Sequence, residues 1–389
     1  MKLYVVAGES SGDARGFELL SALRTLRPEI QILGAGGPQM AALATGPFLE
    51  WTGEAVVGIW DVLKKYPYFR RQFDRMLGEI AKEKPDALLL IDYPGFNLRL
   101  AREAKKRHPG LKTIYYISPQ VWAWHRGRIG KMAGFLDLML CIFPFEKQLY
   151  ESSGLRTVFV GHPMLDSLAA RKQPTPRDPS LVGLFPGSRS REIRHLFPIM
   201  LDAAKELASR RPGLRFEAAA ASPALAAQMN EFLRERGYDP SFCQVRCGRF
   251  YALMQEAAAG MVCSGTATLE AAYFGLPSVL LYRVAWPTWW IGKMVVEVPY
   301  LGMPNVLAGR EILPEFLQTA ARPRPVADAL DRLLSSPLER ESQQRSFAEV
   351  IRHLGTPGAG ARAAREVSNS LPLADSPPPS STEEPRTAR

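Results

Sequence analysis

Cysteine is scarce in this chain, with four in 389 residues, and none of Cys141, Cys243, Cys247 and Cys263 has a histidine pair at zinc-ligand spacing. That excludes a disulfide scaffold and a zinc module, and points to buried free thiols in a reducing compartment. Long apolar runs are missing too. No stretch approaches the roughly 18 residues of a spanning helix, and the opening "MKLYVVAGE" turns polar too soon for a secretory leader. A cytosolic protein is the expectation. Two phosphate fingerprints are also absent: the first glycine-containing turn lacks the G-x-G-x-x-G spacing, and no Walker lysine follows it. No recognisable nucleic-acid module accompanies the basic residues, so nucleic acid is not the expected partner.

What is present is a large apolar content and a positive charge. Hydrophobic residues make up 46% of the chain, enough for two cores, and the length suits two domains of roughly 150 to 200 residues. The formal charge is +10. The C-terminal segment does not carry it, because Arg362, Arg365, Arg386 and Arg389 are balanced there by Glu366, Asp375, Glu383 and Glu384. The excess sits on the folded body and predicts an anionic partner: a nucleotide, a phosphorylated substrate or an acidic membrane surface.

Short apolar runs alternate with amphipathic stretches. "LYVVA", "ALLLI", "TIYYI" and "TVFV" read as buried parallel strands, separated by segments of helical period. The rhythm breaks at the proline-rich stretch 169–180 and restarts with "LVGLF", "LRFEAAA", "GMVCS" and "PSVLL". The expectation is an α/β protein of two doubly wound Rossmann-like domains facing a cleft. Residues 1–168 form the first domain, 169–180 the linker and 181–355 the second. A tail follows over 356–389, disordered from about Leu371.

Four strand-to-helix turns carry the chemistry. In "GESSGD" the amides of a helix start would hold anions or sugar hydroxyls; Asp13 or Ser11 caps that helix, whereas Glu9 has no capping role and points to substrate. In "IDYPGFN", Asp92 follows a fully apolar strand, where it either takes a proton from a nucleophilic hydroxyl or binds turn amides. In "PGSRSREIRHL", Ser188 and Arg189 offer a phosphate both amides and a guanidinium, the alternative being a solvated basic face. In "SGTATLE", Gly265 and Thr266 form the turn, and Glu270, one helical turn on, would bind a ribose diol. Softer signals are "SPQVWAWHRGRIGKM", the aromatic and basic run "DVLKKYPYFRRQF" at 61–73, which suits a membrane interface, and "VAWPTWWIGKMVV".

These motifs, together with "GGPQM", "VVGIWDVL", "PFEK", "GHPM" and "PNVLAGRE", occur in an order that resembles the lipid-A-disaccharide synthase family of Gram-negative bacteria. The resemblance runs from Ala7 to Glu311. It implies a GT-B fold and an inverting transfer of 2,3-diacylglucosamine from UDP-2,3-diacylglucosamine to the 6-hydroxyl of 2,3-diacylglucosamine 1-phosphate. The products are a β-1,6 disaccharide and UDP. It implies no cofactor and no metal, in keeping with the missing D-x-D signature. Carried over by motif, Asp92 is the general base with Glu9 as the alternative. Ser11 and Asp13 join Glu9 on the first domain, and Ser188, Arg189, Gly265, Thr266, Glu270 and Asn305 hold UDP. Some relatives have a second acid where Gly95 stands, so Asp92 acts alone here. Peripheral attachment to the inner face of the cytoplasmic membrane is the matching expectation. The rivals are another GT-B transferase or epimerase of a UDP-sugar, and a binding module without catalysis.

Overall fold

The computed structural model describes residues 1–52, 59–122, 126–239, 241–287, 289–290 and 298–372, with backbone alone for 59–65 and 126. The chain divides into two compact units. One comprises Met1–Val121, Arg126–Pro163 and the chain from Thr356; the other is chiefly Met164–Gly355.

The first unit is built on seven strands: β1 (Lys2–Ala7), β2 (Gln31–Gly36), β3 (Phe48–Glu50), β4 (Ala87–Ile91), β5 (Lys112–Tyr116), β6 (Leu138–Cys141) and β7 (Thr157–Phe159). All pair in parallel, in the order β3-β2-β1-β4-β5-β6-β7. Leu3 to Ala7 and Ala87 to Ile91 are wholly inaccessible, because strands covered by helices on both faces bury every side chain rather than alternate ones. A Cβ on Gly34, at φ +133°, would stand 2.0 Å from the Val5 carbonyl oxygen, so only glycine lets β2 approach β1 there.

The second unit repeats the plan with β8 (Asp178–Phe185), β9 (Arg215–Ala220), β10 (Cys243–Cys247), β11 (Ala257–Cys263), β12 (Ser278–Tyr282) and β13 (Glu315–Leu317). Their order is β10-β9-β8-β11-β12-β13, again all parallel. Its core joins Val182, Leu184, Met261 and Val279 of the sheet to Ile193, Phe197 and Met200 of the helix Ser190–Arg210.

Three expectations change. The proposed linker is docked on the second unit: Arg177 donates to the carbonyls of Met254 (2.9 Å), Ala257 (2.7 Å) and Phe274 (2.6 Å), and Asp178 already opens β8. Burial pulls the Arg177 guanidinium down to about 10. The segment from Thr356 is not a free tail as far as Leu371. A helix over Ala359–Ser370 buries Ala359, Gly360, Ala363, Ala364 and Val367 in the first unit, where Gly360 lies close against Glu18 of the helix Ser10–Leu26. Arg27 Nε donates to Ser368 Oγ at 3.0 Å, and Arg362 Nε to the Val160 carbonyl at 2.7 Å. Finally, Cys247 is exposed, whereas Cys141, Cys243 and Cys263 are buried as expected. The disorder expected beyond Leu371 falls mostly on 373–389, outside the described residues.

Candidate active site

In an open parallel sheet, ligands bind beyond the carboxyl ends of the strands where the strand order reverses. That point lies between β1 and β4 in the first unit and between β8 and β11 in the second. The four chemical turns of the sequence leave these four strands. Ala7 pairs with Ile91, so "GESSGD" and "IDYPGFN" are neighbours; Phe185 pairs with Val262, so "PGSR" and "SGTATLE" are neighbours.

In the first unit, Glu9 is the N-cap of the helix Ser10–Leu26, with no side-chain cap bond, and Glu9, Ser10 and Ser11 are exposed. Asp92 and Tyr93 both adopt left-handed backbone conformations, φ +48° and +51°. Such residues cost of order 1–3 kcal/mol each and persist only where the surroundings enforce them. Here the Asp92 carbonyl accepts from the Tyr115 hydroxyl (2.6 Å) and from Asn97 Nδ2 (2.8 Å), and its amide donates to Tyr116 O (2.9 Å). Tyr93 lies over Gly8, where any Cβ would meet its ring at 2.2 Å. Burial raises the Asp92 carboxyl above the usual range; the Tyr93 amide opposes this and the Glu9 charge adds to it. Ile117, at the end of neighbouring β5, is left-handed as well, φ +66°.

Asp13 does not belong with these groups. It is 2% exposed, and its carboxylate accepts from the amides of Gly37 (2.9 Å), Gln39 (3.1 Å) and Met40 (3.0 Å). It caps the short helix Pro38–Ala41 instead of its own helix or a substrate.

In the second unit, Ser188 and Arg189 are exposed at the turn, but their amides are already occupied. Glu192 Oε2 accepts from Ser188 N (2.9 Å) and Arg189 N (3.2 Å), while Arg189 Nη1 lies 3.3 Å from Glu192 Oε1. The turn binds an anion of its own chain, and Gly187, at φ +115°, leaves room for that carboxylate. Burial pushes the Cys263 thiol up to about 12, with Glu192 adding to the shift and Arg189 opposing it, so both groups act on the end of β11. There Gly265, φ +140°, and Thr266 are exposed at the start of the helix Thr266–Tyr273. Glu270 accepts from the Tyr251 hydroxyl at 3.1 Å, and Arg171 stacks on that ring at 4.7 Å. Burial raises the Glu270 carboxyl against the opposing effects of Tyr251 and Arg171.

Asn305 is likewise corrected from ligand to scaffold. It is fully buried; Nδ2 donates to Leu313 O (2.7 Å) and Glu315 Oε1 (2.8 Å), and Oδ1 accepts from the amides of Ile312 and Leu313, both 2.8 Å. All four bonding positions of the amide are used.

Of the softer signals, Ser118 of "SPQVWAW" donates to the buried Glu146 carboxylate at 2.5 Å, and Tyr150 donates to Pro119 O at 2.7 Å, anchoring that segment in the first unit. Trp124 and His125 lie outside the described residues, as do Thr288 and 291–297 in and beyond "VAWPTWWIGKMVV". In "DVLKKYPYFRRQF", Phe69 packs edge-on to Trp51 and Phe73 to Phe96, so both serve the core; Tyr66, Arg70 and Arg71 remain exposed. Sequence reasoning missed Tyr115, Asn97, Tyr251, Arg171 and Glu192. Two left a trace: Asn97, as the last residue of "IDYPGFN", and Glu192, as an acid three residues after the turn.

Two such domains define the GT-B class. Over 95% of its length the chain superposes on 99% of MurG from Acinetobacter baumannii at TM-score 0.54 and 12% identity. It superposes equally on 99% of a UGT transferase from Siraitia grosvenorii solved in complex with UDP, at TM-score 0.57 and 11% identity. Within that class, the lipid-A-disaccharide synthetase family model matches residues 3–363, and the chain belongs to that family. Lipid-A-disaccharide synthase of Geobacter sulfurreducens is 38% identical over 382 residues, covering 95% of this chain and 97% of that protein. The Pseudomonas paraeruginosa enzyme is 39% identical over 375 residues, covering 94% and 97%. The chain is a disaccharide-forming glycosyltransferase.

Proposed function

We propose that the enzyme joins UDP-2,3-diacylglucosamine and 2,3-diacylglucosamine 1-phosphate by direct displacement, with Asp92 as the general base. The observation that carries the assignment is the strained Asp92–Tyr93 turn at the first switch point, held by Tyr115 and Asn97. The acceptor 6-hydroxyl oxygen bonds to C1 of the donor sugar as the bond from C1 to the diphosphate breaks, and its proton passes to Asp92. A carboxylate of raised pKa is the stronger base. Negative charge grows on the departing UDP. In the second domain the Ser188, Arg189 and Gly265–Thr266 turns take the diphosphate, which replaces Glu192 on its amides, and Glu270 takes the ribose. Exposed Tyr66, Arg70 and Arg71 support attachment to an anionic membrane surface.

Mass spectrometry after mixing the full chain, in detergent, with both substrates tests the reaction. Disaccharide with stoichiometric UDP is expected. UDP without disaccharide would reject the acceptor.

A pH profile separates the two candidate bases. Asp92 must be ionised to accept the proton, so kcat/KM falls as pH drops through its raised pKa. The Glu9 charge contributes to that rise. Glu9→Gln should therefore move the acid limb to lower pH and keep the plateau rate. Loss of the plateau would make Glu9 the base.

A further inference from the structure

A cavity of about 480 Å³ in the second unit is lined by none of the residues assigned to UDP. Arg194 and His195 reach it from the helix Ser190–Arg210, Arg283 and Trp286 from the segment after β12, and Arg322 from the N-cap of the helix Pro323–Ser335. Its one carboxylate, Asp202, is already engaged by Arg236 (2.9 and 3.0 Å) and by the Tyr238 hydroxyl (2.8 Å). Among the described residues no carboxylate pairs with Arg194, Arg283 or Arg322. Three separate elements thus bring arginines that have no carboxylate partner among the described residues to line one concavity, beside the positive end of a 13-residue helix. The charge is felt locally, since burial and then Arg191, Arg283 and Arg194 hold His195 below its ordinary range. Like charges gathered this way repel unless an anion joins them. Planar guanidinium donors from several directions suit a dianionic phosphate with three free oxygens.

The rim adds a second property. Trp286, which lines the cavity, is 52% exposed, and Trp290, four residues on, is 58% exposed. Exposed indoles beside cationic groups are the composition of a membrane-interface belt.

We propose that this cavity binds the phosphomonoester headgroup of a lipid, with Arg194, Arg283 and Arg322 as its ligands and Trp286 and Trp290 against the acyl region. The site is separate from the diphosphate turns and stands whether or not the Asp92 mechanism holds.

Co-sedimentation of the full chain with three vesicle preparations tests it: phosphatidylcholine alone, and phosphatidylcholine mixed with either phosphatidic acid or phosphatidylglycerol. Phosphatidic acid presents a phosphomonoester; phosphatidylglycerol presents a singly charged diester. Wild type should prefer phosphatidic acid, inorganic phosphate should compete, and R283Q/R322Q should lose the preference, binding roughly tenfold more weakly or worse for each guanidinium removed. UDP affinity, measured calorimetrically, should be unchanged in the variant, which shows that the domain is folded. Equal binding to both acidic vesicles would reduce the site to general electrostatics and overturn the proposal. Undiminished phosphatidic acid binding by a variant that still binds UDP would overturn it too. Calorimetric binding of inorganic phosphate without any binding to phosphatidic acid vesicles would assign the cavity to a free anion and overturn the lipid headgroup.

Discussion

Asp92→Asn should lower kcat by about 10²- to 10⁴-fold, the usual contribution of a positioned general base, while leaving UDP affinity as in the wild type. The amide keeps the size of the side chain and leaves the main-chain bonds from Tyr115 and Asn97 in place, so the turn should keep its left-handed conformation. What it loses is the ability to accept a proton from the acceptor hydroxyl. Single-turnover rates with saturating donor, beside calorimetric UDP binding, separate the two quantities. Near-normal turnover would remove Asp92 from the reaction, and a parallel loss of UDP binding would mark a folding defect. The comparison between domains matters here, since Ser188, Arg189, Gly265, Thr266 and Glu270 all belong to the other unit.

Asn305→Ala has a different expected signature. Truncation removes four hydrogen bonds at once and leaves the Ile312 and Leu313 amides without their buried acceptor. Each unsatisfied buried group costs about 1–3 kcal/mol; a total of about 3 kcal/mol corresponds to a fall in Tm of roughly 10 °C for a domain of this size. Calorimetry should show that fall, with UDP affinity at low temperature little changed in the molecules that remain folded. An unaltered Tm with abolished UDP binding would restore Asn305 as a direct ligand. Motif resemblance placed it with the UDP-binding residues, and its burial makes it the support of the segment between Gly309 and Glu315. Asp13 teaches the same lesson: a carboxylate beside a glycine-rich turn looks available in the sequence, yet three amides from the next helix fill it.

Much of the architecture was readable from the chain because buried parallel strands announce themselves as unbroken apolar runs. "LYVVA" and "ALLLI" became β1 and β4, and "LVGLF" and "GMVCS" correspond to β8 and β11. The turns that follow them were readable too, since glycine, proline and hydroxyl residues interrupt those runs at the strand ends. Local signals of this kind depend on neighbours in sequence, and the motifs that place the chain in its family are of the same sort.

Strand order was not of that sort. Nothing local says that β1 pairs with β4 across some 80 residues, or β8 with β11, yet these pairings put each set of turns at its switch point. The tertiary structure alone decided that Tyr115, from a strand that reads as buried, turns its hydroxyl to the Asp92 carbonyl, and that Glu192 fills the PGSR turn. It alone returned the helix Ala359–Ser370 to the first unit, where its stripe of alanine found a partner more than 300 residues away in the chain. The reason is physical: composition and period determine which face of an element must be buried, whereas a polar atom is committed only by the particular partner that packing brings within hydrogen-bond distance.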